Sequence, residues 1–161
     1  MKSTRTETAC CTSPLGLLEI TGNGDAVTSV EFTERAMEKT TSPLPAYLAE
    51  AVRQLEEYFA GKRHAFDFPL HVEGTEFQRH VWQALQRIPY GRTESYGSLA
   101  RAIAKPKAWR AVGMANNRNP FTIIIPCHRV IGSNGAMVGY AGGLHRKEWL
   151  LEHEKKWLAV I

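Results

Sequence analysis

Residues 75–120 read TEFQRHVWQALQRIPYGRTESYGSLARAIAKPKAWRAVGMANNRNP, and they predict three successive helices. The TEFQ start is a capping-box signature, and the first helix after it carries one apolar stripe: Phe77, Val81, Leu85 and Ile88. We expect the other two helices over 96–103 and 108–117, the last ended by Asn119-Pro120. Two short helices joined by a tight turn resemble a helix-turn-helix, although such pairs are also common in plain helical cores.

This helical region lies in the basic half of the chain. Residues 1–76 hold seven Lys and Arg against twelve Asp and Glu, a net charge of −5. Residues 77–161 hold thirteen Lys and Arg against four Asp and Glu, a net charge of +9. Such a split favours a polyanionic partner for the second half. A solvated charged face is the simpler alternative.

The first half predicts a small α+β layer that serves as scaffold. Alternating apolar residues indicate strands over 16–21 and 27–32, joined by a Gly-Asn-Gly turn. Residues 34–45 are polar and read as a loop, and a helix is expected over 46–60. Phe66, Phe68 and Leu70 alternate and predict a third strand.

Composition excludes several classes of protein. The 161 residues are 43% hydrophobic and 22% charged, which is typical of globular domains. No apolar run approaches the length of a membrane helix, and residues 1–10 lack the apolar core of a secretory signal. Three cysteines, with Cys10 and Cys11 adjacent, are no disulfide framework. We therefore expect a cytoplasmic protein without a membrane partner.

Cys127 is the most informative residue. An apolar run, 122–125, leads directly into Pro-Cys-His-Arg and is consistent with a buried strand or extended segment. Neighbouring His128 and Arg129 are groups that can raise the thiolate fraction of a cysteine and make it a nucleophile. The alternative is an inert buried thiol, which the surrounding motif disfavours.

A histidine that takes a proton needs an acceptor on its other nitrogen. The basic half offers four carboxylates, and spacing alone does not choose among them: Glu94, Glu148, Glu152 and Glu154. His145 and His153 are expected at the surface or in packing. No CxxC or zinc-finger spacing predicts a metal, and Gly142-Gly143 lacks the context of a dinucleotide site. We therefore expect no cofactor.

Four blocks of the second half resemble the O6-alkylguanine-DNA alkyltransferases. They are PYGRTESYGSLARAI (89–103), RAVGMANNRNP (110–120), IIIPCHRVIGSNG (123–135) and GYAGGLHRKEWLLEHE (139–154). The first 73 residues match more loosely, through SPLG and LEEYFAG. The resemblance implies an α+β protein with a ribonuclease H-like α/β layer over 1–73. It implies a winged helix-turn-helix-like domain over 74–161 that binds DNA and accepts the alkyl group.

The resemblance also implies the catalytic roles. Cys127 takes the alkyl group from O6 of guanine, and possible repair of O4-alkylthymine is left open. His128 is the general base, acting through a water, and Glu154 orients it. Asn119 braces the active-site segment. Tyr96 lies near the target nucleotide, where its phenol donates to the base.

The remaining implied site residues contact DNA or the extruded base. Arg110 is similar to the family's arginine finger, which fills the stack left by the flipped nucleotide, and Trp109, Ala111 and Gly113 lie beside it. The substrate pocket is implied at Val130, Tyr140, Ala141 and Gly142. The implied partner is double-stranded DNA carrying O6-alkylguanine, bound by a monomer.

Two departures from the family pattern stand out. Trp109 replaces the usual small residue before the finger, and it either packs inward or contacts DNA. Asn23 stands where some relatives have a zinc-binding cysteine, so we expect no zinc.

Three other functions compete with a suicide alkyltransferase. A non-catalytic sensor of alkyl damage would lack the reactive cysteine. A transcriptional regulator built on the helix-turn-helix would need a further cysteine-bearing regulatory domain. A cysteine hydrolase would need an oxyanion site and would leave the basic half unexplained.

Overall fold

The structure, a computed structural model, describes residues 5–34, 40–137 and 139–159. Contacts divide the chain into two units. The first contains the described residues up to 72 together with Pro120–Ile124, and the second contains Glu73–Asn119 and Ile125–Ala159. Among the described residues, three strands lie in the first unit and four of the five α-helices lie in the second, so the predicted α+β class is confirmed.

The first unit is a three-stranded antiparallel sheet with one helix packed on it. The strands β1 (Glu7–Ser13), β2 (Gly16–Gly22) and β3 (Val27–Thr33) are hydrogen-bonded in that order. Helix α1 (Ala46–Phe59) buries residues three and four apart, which places them on one face: Leu48, Ala51, Leu55 and Tyr58. The predicted hairpin and helix are confirmed, whereas β1 was not predicted because its alternating residues are small or polar.

The predicted strand at Phe66, Phe68 and Leu70 is wrong. In this segment only Leu70 makes a bridge, to Val27. The side chain of Gln54 on α1 accepts a hydrogen bond from the backbone N–H of Asp67 at 3.0 Å. A helix side chain therefore satisfies a backbone group that a strand partner would otherwise bind.

The apolar run 122–125 is also not a strand. Phe121 bridges Val30 of β3, and residues 122–124 then turn. Ile123 has a φ of 74°, a left-handed conformation that is rare for a β-branched residue. The residues of this run are apolar because they are buried. Their sequence has no periodic pattern that indicates the backbone conformation.

The second unit holds the remaining elements. Its helices are α2 (Glu76–Gln86), α3 (Tyr96–Ala102), α4 (Trp109–Asn117) and α5 (Leu144–Trp157). Strand β4 (Glu94–Ser95) pairs in parallel with β5 (Val130–Ile131), and a 3₁₀ helix at Cys127–Arg129 leads into β5. The three helices predicted from residues 75–120 are confirmed: α3 begins at the predicted residue, and α4 begins one residue after it.

Three side chains fix α2 and hold against it α4, which carries most of the predicted DNA-binding residues. Thr75 accepts from the backbone of Gln78 at 3.1 Å while Gln78 accepts from the backbone of Thr75 at 3.0 Å, so the capping box is present. Trp82 of α2 donates its indole N–H to the carbonyl of Ala115 at 2.9 Å. This buried hydrogen bond anchors α4 to α2.

Candidate active site

Cys127 is the first residue of the 3₁₀ helix, directly after Pro126. Its side chain is buried, with the residue only 5% exposed. Its backbone N–H donates to the carbonyl of Ile125 at 2.7 Å, and the side-chain amide of Asn119 donates to the same carbonyl at 2.7 Å. Two donors on one carbonyl hold the chain entering the cysteine in a single conformation.

His128, Arg129 and Glu154 form a buried ionic cluster. Nε2 of His128 lies 2.7 Å from Oε2 of Glu154. Arg129 donates twice to Glu154, at 2.8 and 3.0 Å, and once to the carbonyl of Ile88 at 2.7 Å. The backbone N–H of Gly91 also donates to Glu154, at 3.2 Å. The structure thus brings His128 to one of the four candidate carboxylates.

Charges in this cluster set the protonation states. Burial acts to raise the pKa of Glu154, but His128 and Arg129 outweigh it and hold that pKa well below its usual range. Burial lowers the pKa of His128 despite the nearby carboxylate. Glu154 is therefore ionised and His128 is neutral at physiological pH.

The sequence-based expectation that Arg129 activates the thiol is wrong. Arg129 pairs with Glu154, and burial raises the pKa of Cys127 to about 11. A hydrogen bond from Asn119 and the charge of Lys147 act in the opposite direction. In this state the cysteine is a neutral thiol, and its proton has to leave as the reaction proceeds.

Lys147 is a site residue that sequence reasoning missed. It is completely buried on α5, and its ammonium group donates to the carbonyl of Gly139 at 3.1 Å. Burial lowers its pKa to about 8, partly offset by Cys127. The available signal was its spacing from Leu150 and Glu154, which places all three on one helical face.

Replacing Lys147 by Met should slow the reaction of the Cys127 thiol with iodoacetamide about tenfold near neutral pH, because a nearby positive charge favours the thiolate. Lys147 carries its charge below a pKa of about 8 and loses it above. The wild-type advantage should therefore shrink as the pH rises through 8. Thermal stability should not fall, since a buried charge is replaced by an apolar side chain of similar length.

Peptide mass mapping at several pH values measures this rate at Cys127 alone. The same substitution at exposed Lys155, on the same helix, is the control and should have no effect. An advantage of the wild type that persists unchanged well above pH 8 would contradict the electrostatic role.

Two tyrosines carry hydroxyl groups whose pKa responds to Cys127. Burial raises the pKa of Tyr96, Cys127 raises it further, and a hydrogen bond from Asn116 lowers it. The hydroxyl oxygen of Tyr140 is buried and has no hydrogen-bond partner among the described residues. Burial also raises its pKa, and Cys127 adds to that shift. Both phenols are therefore neutral and can act as hydrogen-bond donors.

A groove of about 730 Å³ lies beside α4. Four residues predicted to contact DNA or the target base line it: Tyr96, Trp109, Arg110 and Gly113. Gly139 and the turn over 132–134 form a further part of the wall. Ala111 instead lines a smaller hollow beside Thr75 and Phe77.

The predicted pocket residues occupy different environments. Val130 is fully buried and pairs with Glu94 through β5 and β4. Ala141 is exposed and Gly142 is half-buried, in the turn that precedes α5. The carbonyl of Gly142 accepts from Arg146 at 3.1 Å, so a side chain of α5 holds this turn.

Trp109 does not pack inward. The residue is 50% exposed, and the guanidinium carbon of Arg110 lies 5.1 Å from its ring centroid. That distance is within the range of a cation–π contact. The aromatic ring and the cation therefore form one exposed pair at the start of α4.

The described residues also bear on the expected absence of a metal and on the two remaining histidines of the basic half, His145 and His153. No three His, Cys, Asp or Glu side chains there form a group that could hold a metal ion. His145 is exposed, whereas His153 is buried and stacks on Trp149 with 4.7 Å between ring centroids. No helix within the described ranges is long and apolar enough to cross a membrane.

Comparison with known families accounts for both units. Residues 76–156 match the model of the 6-O-methylguanine DNA methyltransferase DNA-binding domain, and residues 8–72 match that of its ribonuclease-like domain. A methylated-DNA–protein-cysteine methyltransferase of Mycobacterium leprae is 50% identical over 146 residues, which cover 89% of this chain and 88% of the relative. One from Methanosarcina barkeri is 49% identical over 150 residues, covering 89% and 93%.

Solved structures of O6-methylguanine methyltransferases resemble the fold of this chain. The O6-methylguanine methyltransferase of Mycobacterium tuberculosis superposes with a TM-score of 0.84 and 44% identity, covering 98% of this chain and 97% of that one. A Mycobacterium tuberculosis OGT in complex with DNA gives a TM-score of 0.84 with 47% identity, covering 94% and 93%. The chain therefore belongs to the 6-O-methylguanine DNA methyltransferase family.

Proposed function

We propose that this protein repairs DNA directly, by transferring the alkyl group of O6-alkylguanine irreversibly to the thiol of Cys127. The observation that carries the proposal is a buried cysteine followed by a buried, neutral histidine that is held by an ionised glutamate. The cysteine can pass its proton to the histidine without leaving an unpaired buried charge. The carboxylate of Glu154 stabilises the positive charge of the His128 imidazolium as it forms.

The reaction balances without a cofactor. The thiol proton passes to His128, through a water, while the Sγ–carbon bond forms and the carbon–O6 bond breaks. Since Nε2 of His128 faces Glu154, Nδ1 is the nitrogen that accepts the proton. The proton then returns to the departing guanine. The product thioether is not hydrolysed by water at neutral pH, so each molecule reacts once.

Other residues serve the bond exchange and the binding of DNA. Asn119 braces the segment that carries Cys127, and Tyr96 donates a hydrogen bond to the departing base. Within the proposed DNA-binding domain, 74–161, helix α4 presents to DNA the set Trp109, Arg110, Ala111 and Gly113. The base-binding pocket uses Val130, Tyr140, Ala141 and Gly142. The partner in this proposal is double-stranded DNA with O6-alkylguanine, bound by one copy of the chain in the cytoplasm without zinc.

The target base has to leave the helix to reach a buried thiol. Flipping costs a few kcal/mol, and least for a mispaired base. Arg110 is suited to occupy the space left in the stack, because its planar guanidinium can stack while its charge remains near the phosphates. Its contact with Trp109 restricts that guanidinium before DNA arrives.

Replacing Arg110 by Ala should slow transfer from a duplex about a hundredfold. Without a side chain to fill the gap in the base stack, the flipped state is less stable by a few kcal/mol. Transfer from free O6-benzylguanine should change by less than about twofold, because no stack has to be opened. Single-turnover rates with both substrates measure the difference.

The same substitution at exposed Arg87, at the end of α2, is the matched control and should leave both rates unchanged. Equal losses on the duplex and on the free base would show that Arg110 acts in the pocket and not in flipping.

The proposed repair is tested by measuring what becomes of the damaged base in the DNA. A duplex with one O6-methylguanine is incubated with increasing amounts of protein, digested to nucleosides and analysed by mass spectrometry. The expected result is guanine appearing and O6-methylguanine disappearing in a one-to-one ratio to protein added. Unchanged O6-methylguanine with a stable protein–DNA complex would favour the non-catalytic sensor.

A further inference from the structure

Tyr90 is a buried aromatic residue that neither the motifs nor the proposed mechanism uses. It lies between α2 and β4 and is 8% exposed. The guanidinium carbon of Arg129 lies over its ring, 5.6 Å from the ring centroid, which is within the range of a cation–π contact. Arg129 is buried as well. A cation–π contact between two desolvated groups is stronger than one at an exposed position.

The turn that carries Tyr90 is bonded to the buried ionic cluster on both sides of the ring. The carbonyl of Ile88 accepts from Arg129 at 2.7 Å, and the backbone N–H of Gly91 donates to Glu154 at 3.2 Å. Gly91 has a φ of 78°, a left-handed conformation that favours glycine. The backbone of this turn is therefore fixed against the cluster, and it holds the ring beside the guanidinium.

The nitrogens of Arg129 are engaged by other groups. Nε and one terminal nitrogen donate to the two oxygens of Glu154, at 2.8 and 3.0 Å, and the other terminal nitrogen donates to the carbonyl of Ile88. Guanidinium hydrogen bonds lie in the plane of the group. The tilt of that plane is set by the side chains packed against it, and Tyr90 is one of them.

The charge of Arg129 opposes the proton transfer that the proposed function requires. Nε2 of His128 and a nitrogen of Arg129 both contact Oε2 of Glu154, at 2.7 and 3.0 Å. An imidazolium on His128 must therefore share this carboxylate with a second cation. Burial lowers the pKa of His128, and Glu154 raises it. Arg129 and Lys147 both act to lower it further, so a group that offsets the charge of Arg129 favours the imidazolium.

An aromatic ring can offset that charge without adding a charge of its own. The face of a neutral ring carries partial negative charge, and this attracts a cation. Burial and the charge of Glu154 raise the pKa of Tyr90 to about 12, although Arg129 acts to lower it. The phenol is therefore neutral at physiological pH, and its ring weakens the effect of the guanidinium on its surroundings.

We propose that Tyr90 is a positioning residue: its ring holds the Arg129 guanidinium in place and offsets its charge, which makes His128 a stronger base. With the ring present, the carboxylate of Glu154 stabilises the imidazolium that forms when the Cys127 thiol gives up its proton. Tyr90 acts through Arg129 and not on the alkyl group. This inference rests on the proposed function.

The test compares Tyr90→Leu, which removes the ring, with Tyr90→Phe, which keeps it. Single-turnover transfer from a saturating O6-methylguanine duplex gives the rate at Cys127, and NMR titration gives the pKa of His128. The leucine variant should transfer about fivefold more slowly, and the pKa of His128 should fall by about 0.5, because the charge of Arg129 is no longer offset. The phenylalanine variant should stay within about twofold of wild type, with the His128 pKa unchanged.

The control is Trp157→Leu, which removes the ring from another cation–π pair. Lys156 is exposed on α5 and lies 5.2 Å from the Trp157 ring centroid. This variant should transfer at the wild-type rate, because the pair lies outside the ionic cluster.

A second substitution keeps the test independent of folding. Pentafluorophenylalanine in place of Tyr90 keeps the shape of the ring but reverses the partial charge on its face. It should slow transfer and lower the His128 pKa at least as much as leucine does.

Three outcomes overturn the inference. They are a wild-type rate for Tyr90→Leu, a slow Tyr90→Leu with an unchanged His128 pKa, and an equal loss in Tyr90→Phe. The second would give the ring a purely structural role, and the third would assign the effect to the hydroxyl. In each case transfer by the wild type leaves the proposed function intact. A wild type that transfers nothing overturns the proposed function and the inference together.

Discussion

Cys127→Ser is expected to abolish alkyl transfer, by at least about a thousandfold, because a serine hydroxyl is a far weaker nucleophile than a thiol at neutral pH. Binding to a duplex with O6-methylguanine should stay within about twofold of wild type, since Cys127 is buried and phosphate contacts supply most of the affinity. Single-turnover assays and binding titrations measure the two effects separately.

The control is Cys10→Ser in β1, which makes the same atomic change in the first unit and should transfer at the wild-type rate. Repair by the Cys127→Ser protein at a comparable rate would place the alkyl acceptor on another residue. Loss of binding together with transfer would mean that the thiol is needed for structure and not for chemistry alone.

Glu154→Gln is expected to destabilise the protein by about 3–5 kcal/mol, because it leaves the buried Arg129 without its counter-charge. Transfer should also slow about a hundredfold or more, since no carboxylate then stabilises the His128 imidazolium. Urea unfolding at neutral pH, with transfer rates measured well below the unfolding transition, separates stability from catalysis.

The pH dependence has a definite sign. The pKa of Glu154 is depressed in the folded state, so its stabilisation is present above the ordinary glutamate pKa and is lost as the pH falls below it. The stability gap between wild type and Glu154→Gln should therefore narrow in acid. Glu152→Gln, on the exposed side of the same helix, is the control. An equal loss from both variants would contradict the buried network.

Much of the fold could be predicted because its signals are local. The capping box of α2 and the helical spacing in α1 are read directly from neighbouring residues, and the structure contains both. The segment that contains Phe66 alternates equally well, yet the backbone N–H of Asp67 in it donates to the side chain of Gln54, which is thirteen residues away in sequence. Alternation reports burial of side chains and does not identify the partner of the backbone.

Site residues that are neighbours in sequence could also be predicted, whereas those brought together by the fold could not. Cys127 and His128 are adjacent in sequence, so their chemistry was visible without the fold. Glu154 was one of four carboxylates until the resemblance selected it, and the structure places it 2.7 Å from His128. Lys147 was missed although its spacing from Leu150 and Glu154 places it on their helical face, because a lysine is ordinarily exposed. Only the packing of α5 shows that it is buried.

The sequence did not decide between two positions for the Trp109 ring, packed inward or in contact with DNA. Its neighbours do not determine whether the ring turns inward, because residues on either side of it have no apolar pattern. The structure leaves half of the residue exposed beside Arg110. An exposed aromatic–arginine pair on a basic helix is a surface to which stacked bases or sugars can bind.

Cys127 is expected to accept a single alkyl group irreversibly. Intact-mass spectrometry after treatment with excess O6-methylguanine duplex, followed by peptide mapping, measures this transfer. Every protein molecule should gain one methyl group on Cys127, and repair should stop at one equivalent. Repair that continues beyond one equivalent, or a methyl group on any other residue, would exclude Cys127 as the single-use acceptor.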